Sequence, residues 1–151
     1  MPSPNSLRFV RIKGKSMMPL LEDGDVGVVL CKSQYDVGDI VIFSSLQSYE
    51  ATISHRIVYK CENLYYCKGD NSLNLEIVTY PEIIGAIISI DRNGRRINLL
   101  SDAELLKMFC DFSLECALKY KTGDKDMAKQ MAKRCYIKMC KLLKNAQREG
   151  L

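Results

Sequence analysis

The sequence holds a single histidine and no CxxC pair among its seven cysteines, and none of its apolar runs approaches the length of a bilayer. The longest, IIGAIISI at Ile83 to Ile90, falls far short of the ~20 residues that a transmembrane helix needs, so a soluble chain is expected. The N-terminus, MPSPNSLRFVRIKG, has no apolar segment ahead of its charges and does not read as a secretory signal peptide. The expected location is therefore cytoplasmic, and the cysteines are expected to be reduced thiols that pack as small apolar residues. A metal site is disfavoured, because the spacings Cys61/Cys67 and Cys110/Cys116 are too wide for a knuckle. No metal or organic cofactor is expected.

At 151 residues and 47% apolar content, the chain can bury one core and carry a small appendage. Charge divides it: residues 1–100 carry 11 Lys/Arg and 11 Asp/Glu, whereas residues 101–151 carry 11 against 7. The net charge of +4 belongs to the tail.

Periodicity divides the chain at the same place. Up to about residue 100 the apolar residues come in short β-branched runs separated by turn chemistry. Candidate strands are Phe9 to Ile12, Val26 to Leu30, Ile40 to Phe43, Ile53 to Lys60, Leu64 to Lys68 and Ile83 to Ile90. Arg96 to Leu99 would return across Asn93-Gly94, a two-residue hairpin signal. This is the pattern of a small open β-barrel. After Leu100, Ser101-Asp102-Ala103-Glu104 reads as a capping box, and a helical pattern runs to about Tyr120. A second helix from about Lys125 to Asn145 puts Met131, Cys135, Met139 and Leu142 on one face, with Lys129, Lys133, Lys138, Lys141, Lys144 and Arg148 recurring elsewhere. The expected architecture is mainly β with an α extension: a β catalytic domain over residues 1–100 and a helical hairpin over 101–151.

Three short elements hold the residues suited to chemistry: GKSMMP at Gly14 to Pro19, SHR at Ser54 to Arg56 and KGDN at Lys68 to Asn71. Each has a plain structural reading, as a turn, a core histidine and a self-bonded aspartate. Together they supply a serine hydrolase with its inventory. A serine hydroxyl needs a base to take its proton, an imidazole suits that task near neutrality, and a carboxylate fixes the imidazole tautomer. Ser16, His55 and Asp70 are the candidates.

The order G-x-S-M-x-P, GDIVIF, HRIV and YxCKGDN resembles the signal peptidase I superfamily, a clan that also contains the self-cleaving repressors of the bacterial DNA-damage response. The resemblance covers about residues 8 to 100 and implies a largely β catalytic domain with Ser16 as nucleophile. His55 stands where bacterial signal peptidases and the repressors have a lysine, which is the pattern of the serine-histidine branch. Gly14 replaces a serine that helps hold the oxyanion in serine-lysine enzymes, so backbone N–H groups, that of Ser16 included, would form the oxyanion hole. In the serine-histidine branch an acidic pair follows KGDN; here the segment is SLNLE, so Glu76 competes with Asp70 as third member, and Asp70 is favoured. Signal peptidases carry an N-terminal transmembrane helix that is not seen ahead of Arg8, which points to a soluble member acting on extended or leader-bearing peptides.

Met17, Met18 and Leu20 are expected to shape an apolar substrate cleft. The basic helix is expected to pack on the barrel with its lysines in water, or to engage a partner protein or an anionic membrane surface. Nucleic acid is disfavoured by a sequence pI of only about 8.6. Two other readings share the fold: a self-cleaving regulator, and a non-catalytic module that binds a partner peptide.

Overall fold

The structure is a computed structural model that describes residues 3–44 and 52–149; the side chain of Arg148, counted above in the basic helix, lies outside the described ones. Eight strands run in chain order: β1 (Leu7–Arg11), β2 (Val26–Leu30), β3 (Ile40–Ser44), β4 (Thr52–Cys61), β5 (Leu64–Lys68), β6 (Leu75–Thr79), β7 (Ile83–Arg92) and β8 (Arg95–Ile97). A single 3-10 turn, Tyr80–Glu82, links β6 to β7, and two helices follow, α1 (Ala103–Lys121) and α2 (Lys125–Glu149). The fold is mainly β with two C-terminal helices, as the patterning implies. Among the described residues no helix is long and apolar enough to cross a membrane.

The strands form one curled antiparallel sheet in the order β1-β2-β7-β3-β4-β5-β6, with β8 added to β7. Its path ends at β1 and β6 and stays open. β7 and β8 meet across Asn93-Gly94, whose φ angles of 53° and 82° give the doubly left-handed turn that matches strand twist.

β3 explains how a short apolar run organises the interior. Its residues Ile40 and Ile42 face a cluster containing Ile12, Leu20, Val29 and Ile90, while Val41 and Phe43 face a second containing Tyr35, Ile57, Tyr65 and Ile83. A strand buried on both faces reads as continuous rather than alternating hydrophobicity. The IVIF run therefore separates two layers of core, and His55 enters the second by pairing with Val41.

α1 packs on β4 and β5, and α2 packs against α1. Asp102 caps α1 by accepting from the Leu105 N–H at 3.1 Å, so this residue rather than a Ser101/Glu104 box starts the helix. Met131, Cys135 and Met139 of α2 are buried against Phe109 and Cys116 of α1, with Leu142 partly buried beside them. None of the seven cysteines forms a disulfide; burial pushes the thiols of Cys67 and Cys110 up to about 12.

The sequence reading did not contain β6. Its residues, LEIVT, carry three β-branched residues, Ile77 to Thr79, shortly before Pro81, and they form the sheet's second edge.

Gly85 of β7 lies hard against β2: a Cβ there would lie 2.5 Å from Val29 Cγ1 and 2.9 Å from the Leu30 carbonyl. Replacing Gly85 by Ala is expected to cost about 1–3 kcal/mol through overpacking, read as a lower urea midpoint. An unchanged midpoint would show that the two strands can separate without loss.

Candidate active site

Ser16 lies in the loop from Ile12 to Asp25 that joins β1 to β2. The loop is closed at its base by the Ile12 N–H donating to the Asp25 carbonyl (2.7 Å) and the Gly24 N–H to that of Ile12 (2.8 Å). Its first turn needs Gly14, whose φ is +83° and whose N–H donates to Asp23 Oδ1 at 2.8 Å. Arg92 of β7 locks the far side, donating in bidentate fashion to buried Asp25 at 2.8 Å from both Nε and Nη2, and from Nη2 to the Leu20 carbonyl. The loop is thus tied to the central strand rather than floating above it.

Met17 and Leu20 anchor the same loop from beneath. They are only 2% and 1% exposed and belong to the first core cluster, and Met17 Sδ accepts from the Asp70 N–H at 3.4 Å. The expectation that Met17 and Leu20 line a substrate cleft is corrected: both are spent on packing. Met18, half-buried, is the one of the three left near the surface.

The turn after β5 meets the serine loop directly. The Asn71 N–H donates to the Ser16 carbonyl at 2.8 Å, and Asn71 Nδ2 donates to the Lys15 carbonyl at 3.1 Å. Gly69 makes this approach possible. A Cβ on it would sit 2.6 Å from the Ser16 carbonyl oxygen, 3.1 Å from Ser16 Cβ and 3.0 Å from His55 Nε2. Nucleophile candidate and base candidate therefore meet over the one residue that has no side chain. Among the described residues the Ser16 hydroxyl and N–H make no hydrogen bond.

His55 is 5% exposed, with its ring edge-on to Phe43 at 6.2 Å between centroids. Its Nδ1 lies 2.8 Å from Glu76 Oε2. Strand register accounts for this contact. His55 shares a face of β4 with Ile57, Ile57 pairs with Cys67 of β5, and Cys67 pairs with Glu76 of β6. Because β5 ends at Lys68, the Glu76 side chain reaches the histidine past Gly69. A ring that donates from Nδ1 to this carboxylate carries its lone pair on Nε2, toward Gly69 and Ser16.

Asp70 does not touch His55, which corrects the preference for it as the histidine's partner. Its two oxygens accept from Arg56 Nε (2.9 Å) and Nη2 (2.8 Å), and Arg56 Nη1 donates to the Gly38 carbonyl at 2.9 Å. Arg56 and Asp70 are both buried, at 2% and 3% exposure. Burial works against the guanidinium charge, but the Asp70 carboxylate beside it outweighs that and holds the Arg56 pKa above its usual value. Lys68, also buried, donates to the Gly69 carbonyl at 3.0 Å, and burial lowers its pKa. Sequence reading missed Arg56; its only signal was its place next to His55, where strand alternation sends it to the opposite face.

Arg56→Met strands a buried carboxylate and is expected to cost about 3–5 kcal/mol of stability. Joint replacement of Arg56 and Asp70 by apolar residues should recover much of that loss in a denaturant double-mutant cycle. Additive losses would mean the two residues do not act as a pair.

Among the described residues no group of three or more His, Cys, Asp or Glu side chains could hold a metal ion. A comparison with curated proteins finds no match to this chain. The family described as Peptidase S24-like matches residues 1–88, the span that holds Ser16, His55, Asp70 and Glu76, and the chain belongs to that family.

Proposed function

We propose that this protein is a serine endopeptidase of the serine-histidine type, in which Ser16 attacks a peptide carbonyl, His55 is the base and Glu76 orients the histidine. The observation that carries the reading is the convergence of Ser16 Cβ and His55 Nε2 on Gly69, with Glu76 on the other ring nitrogen. Family membership alone supports a serine peptidase or self-cleaving repressor clan, whose members need not be catalytic.

The steps use this chain's own groups. As Ser16 Oγ bonds to the scissile carbonyl carbon, its proton passes to His55 Nε2, and the imidazolium so formed is stabilised by Glu76 at 2.8 Å. The Ser16 N–H is available to the developing oxyanion, since it serves no protein acceptor among the described residues. The imidazolium then protonates the leaving amine. Water, activated by the same imidazole, hydrolyses the acyl-enzyme. The substrate would be an extended peptide, in keeping with the resemblance to signal peptidases, which cleave leader segments. Asp70 acts at one remove: with Arg56 it fixes the turn on which Ser16 rests.

Tyr35, Phe43 and the ring of His55 lie within packed apolar surroundings, so an inactive binding module could keep the same histidine as a core residue. Activity separates the two readings. A fluorophosphonate probe should label wild type and not Ser16→Ala, and internally quenched peptides should be cut by wild type only. Glu76→Gln should lower kcat by about 10²–10⁴-fold while the fold is retained. Cleavage undiminished in Ser16→Ala would overturn the mechanism.

A further inference from the structure

Two cavities flank the segment that runs from Asn71 to β6. The first, of about 730 Å³, is walled by Phe43, Ile53 and Glu76 on the sheet side and by Lys121 and Lys125 at the turn between the helices. The second, of about 640 Å³, lies between Asn71 and α2 and is bordered by Lys129, Lys133 and Tyr136. Leu73 lines both. One end of this pair begins at the residue that holds His55, and the other at the residue whose N–H supports the Ser16 carbonyl.

Lys125, Lys129 and Lys133 are four residues apart and lie on one face of α2, which aligns them in a row about 12 Å long. Among the described residues no carboxylate forms an ion pair with any of these three or with Lys121. The two acids that line the first cavity are already engaged, Glu76 by His55 and Glu82 by the Thr79 N–H and hydroxyl. Asp124 accepts from the Met127 N–H at the start of α2, and neither it nor Asp126 lines either cavity. The positive end of the α2 dipole adds to the field at Lys125.

From this charge distribution we infer that the helical hairpin is a specificity element: its Lys121/Lys125/Lys129/Lys133 row, facing the two cavities beside the Ser16/His55 site, takes a peptide segment carrying Asp or Glu side chains. This rests on the peptidase reading for its substrate, but not for its binding. An extended chain rises about 3.3 Å per residue, so the lysine row spans about four peptide residues. The occupant is a peptide rather than a bilayer because the lysines border concavities with apolar floors at Ile53 and Leu73, which a chain can enter and a planar surface cannot.

The test separates binding from cleavage. Fluorescein-labelled alanine-based dodecapeptides with Asp or Lys scanned through each position are titrated against Ser16→Ala by anisotropy, at about 0.01 M and about 1 M salt. Asp-bearing peptides should bind about three- to tenfold tighter than their Lys counterparts at low salt. The preference should fade at high salt and should vanish or invert in Lys125→Glu/Lys129→Glu. Equal affinities, no binding of either series, or a preference unmoved by the charge reversals would overturn the inference. So would co-sedimentation of the protein with phosphatidylserine vesicles, lost on the same reversals, without any peptide preference. Cleavage by the wild-type protein with no acidic preference defeats the lysine row and leaves the peptidase standing; acidic binding without cleavage defeats the peptidase and leaves the row.

Discussion

The ion pair between Arg56 and Asp70 is the constraint on which the rest of the candidate site depends, because each partner is the immediate neighbour of a residue where the Ser16 loop and β4 converge. Arg56 follows His55 on β4, and Asp70 follows Gly69 at the end of β5. With two hydrogen bonds at 2.8 and 2.9 Å and almost no exposure, the pair sets how far the turn stands from the strand. Taking two charges out of water is costly, and replacing such pairs by apolar residues is often neutral or better for stability. What the pair supplies instead is a single geometry. A guanidinium fork fits one placement of a carboxylate, where apolar side chains would tolerate several.

Strand alternation gives the pair a second consequence. His55 points into the core layer with Phe43, while Arg56 points the opposite way, toward the helices, where Phe109 lies under its guanidinium at 5.9 Å and the Cys110 thiol donates to the Ile57 carbonyl. The helical hairpin is therefore in mechanical contact with the strand that carries His55. On the other side of the site, Arg92 and Asp25 perform the corresponding task for the serine loop. Two arginine-aspartate forks, one on β4 and one on β7, hold two loops in register, and Gly69 lets those loops touch.

Most of this architecture could be read from the chain. The β-branched runs, the Asn93-Gly94 turn and the change of period after Leu100 located seven of the eight strands and both helices to within a few residues. Ser16 and His55 stood out because a hydroxyl before a proline-broken turn and a lone imidazole on a strand suit one reaction. The preference for Asp70 over Glu76 as the partner of His55 had a physical origin. Without β6, Asp70 was the nearest carboxylate in sequence; with β6, Glu76 is the nearest in space, brought there by a register that runs through Cys67. Met17 and Leu20 were misplaced for a related reason. A loop that presents a serine must itself be anchored, and the apolar residues beside the serine do that anchoring.

Charge follows the same division of labour. In the β half, basic and acidic residues are equal in number, and its two buried aspartates are matched within it, Asp70 by Arg56 and Asp25 by Arg92. The tail's surplus cannot be absorbed there, since a buried unpaired lysine would be penalised as Lys68 already is, with its pKa driven down by burial. The surplus therefore lies on exposed helix surface. Part of it has an internal use, as where Lys138 sits 4.1 Å over the Phe112 ring. The row from Lys125 to Lys133 has no such use, and it faces the cavities that lead to Glu76 and Asn71. Among the described residues this row alone is both aligned along one helix face and set beside the two cavities without an ion pair, so an acidic segment entering there is what would answer its charge.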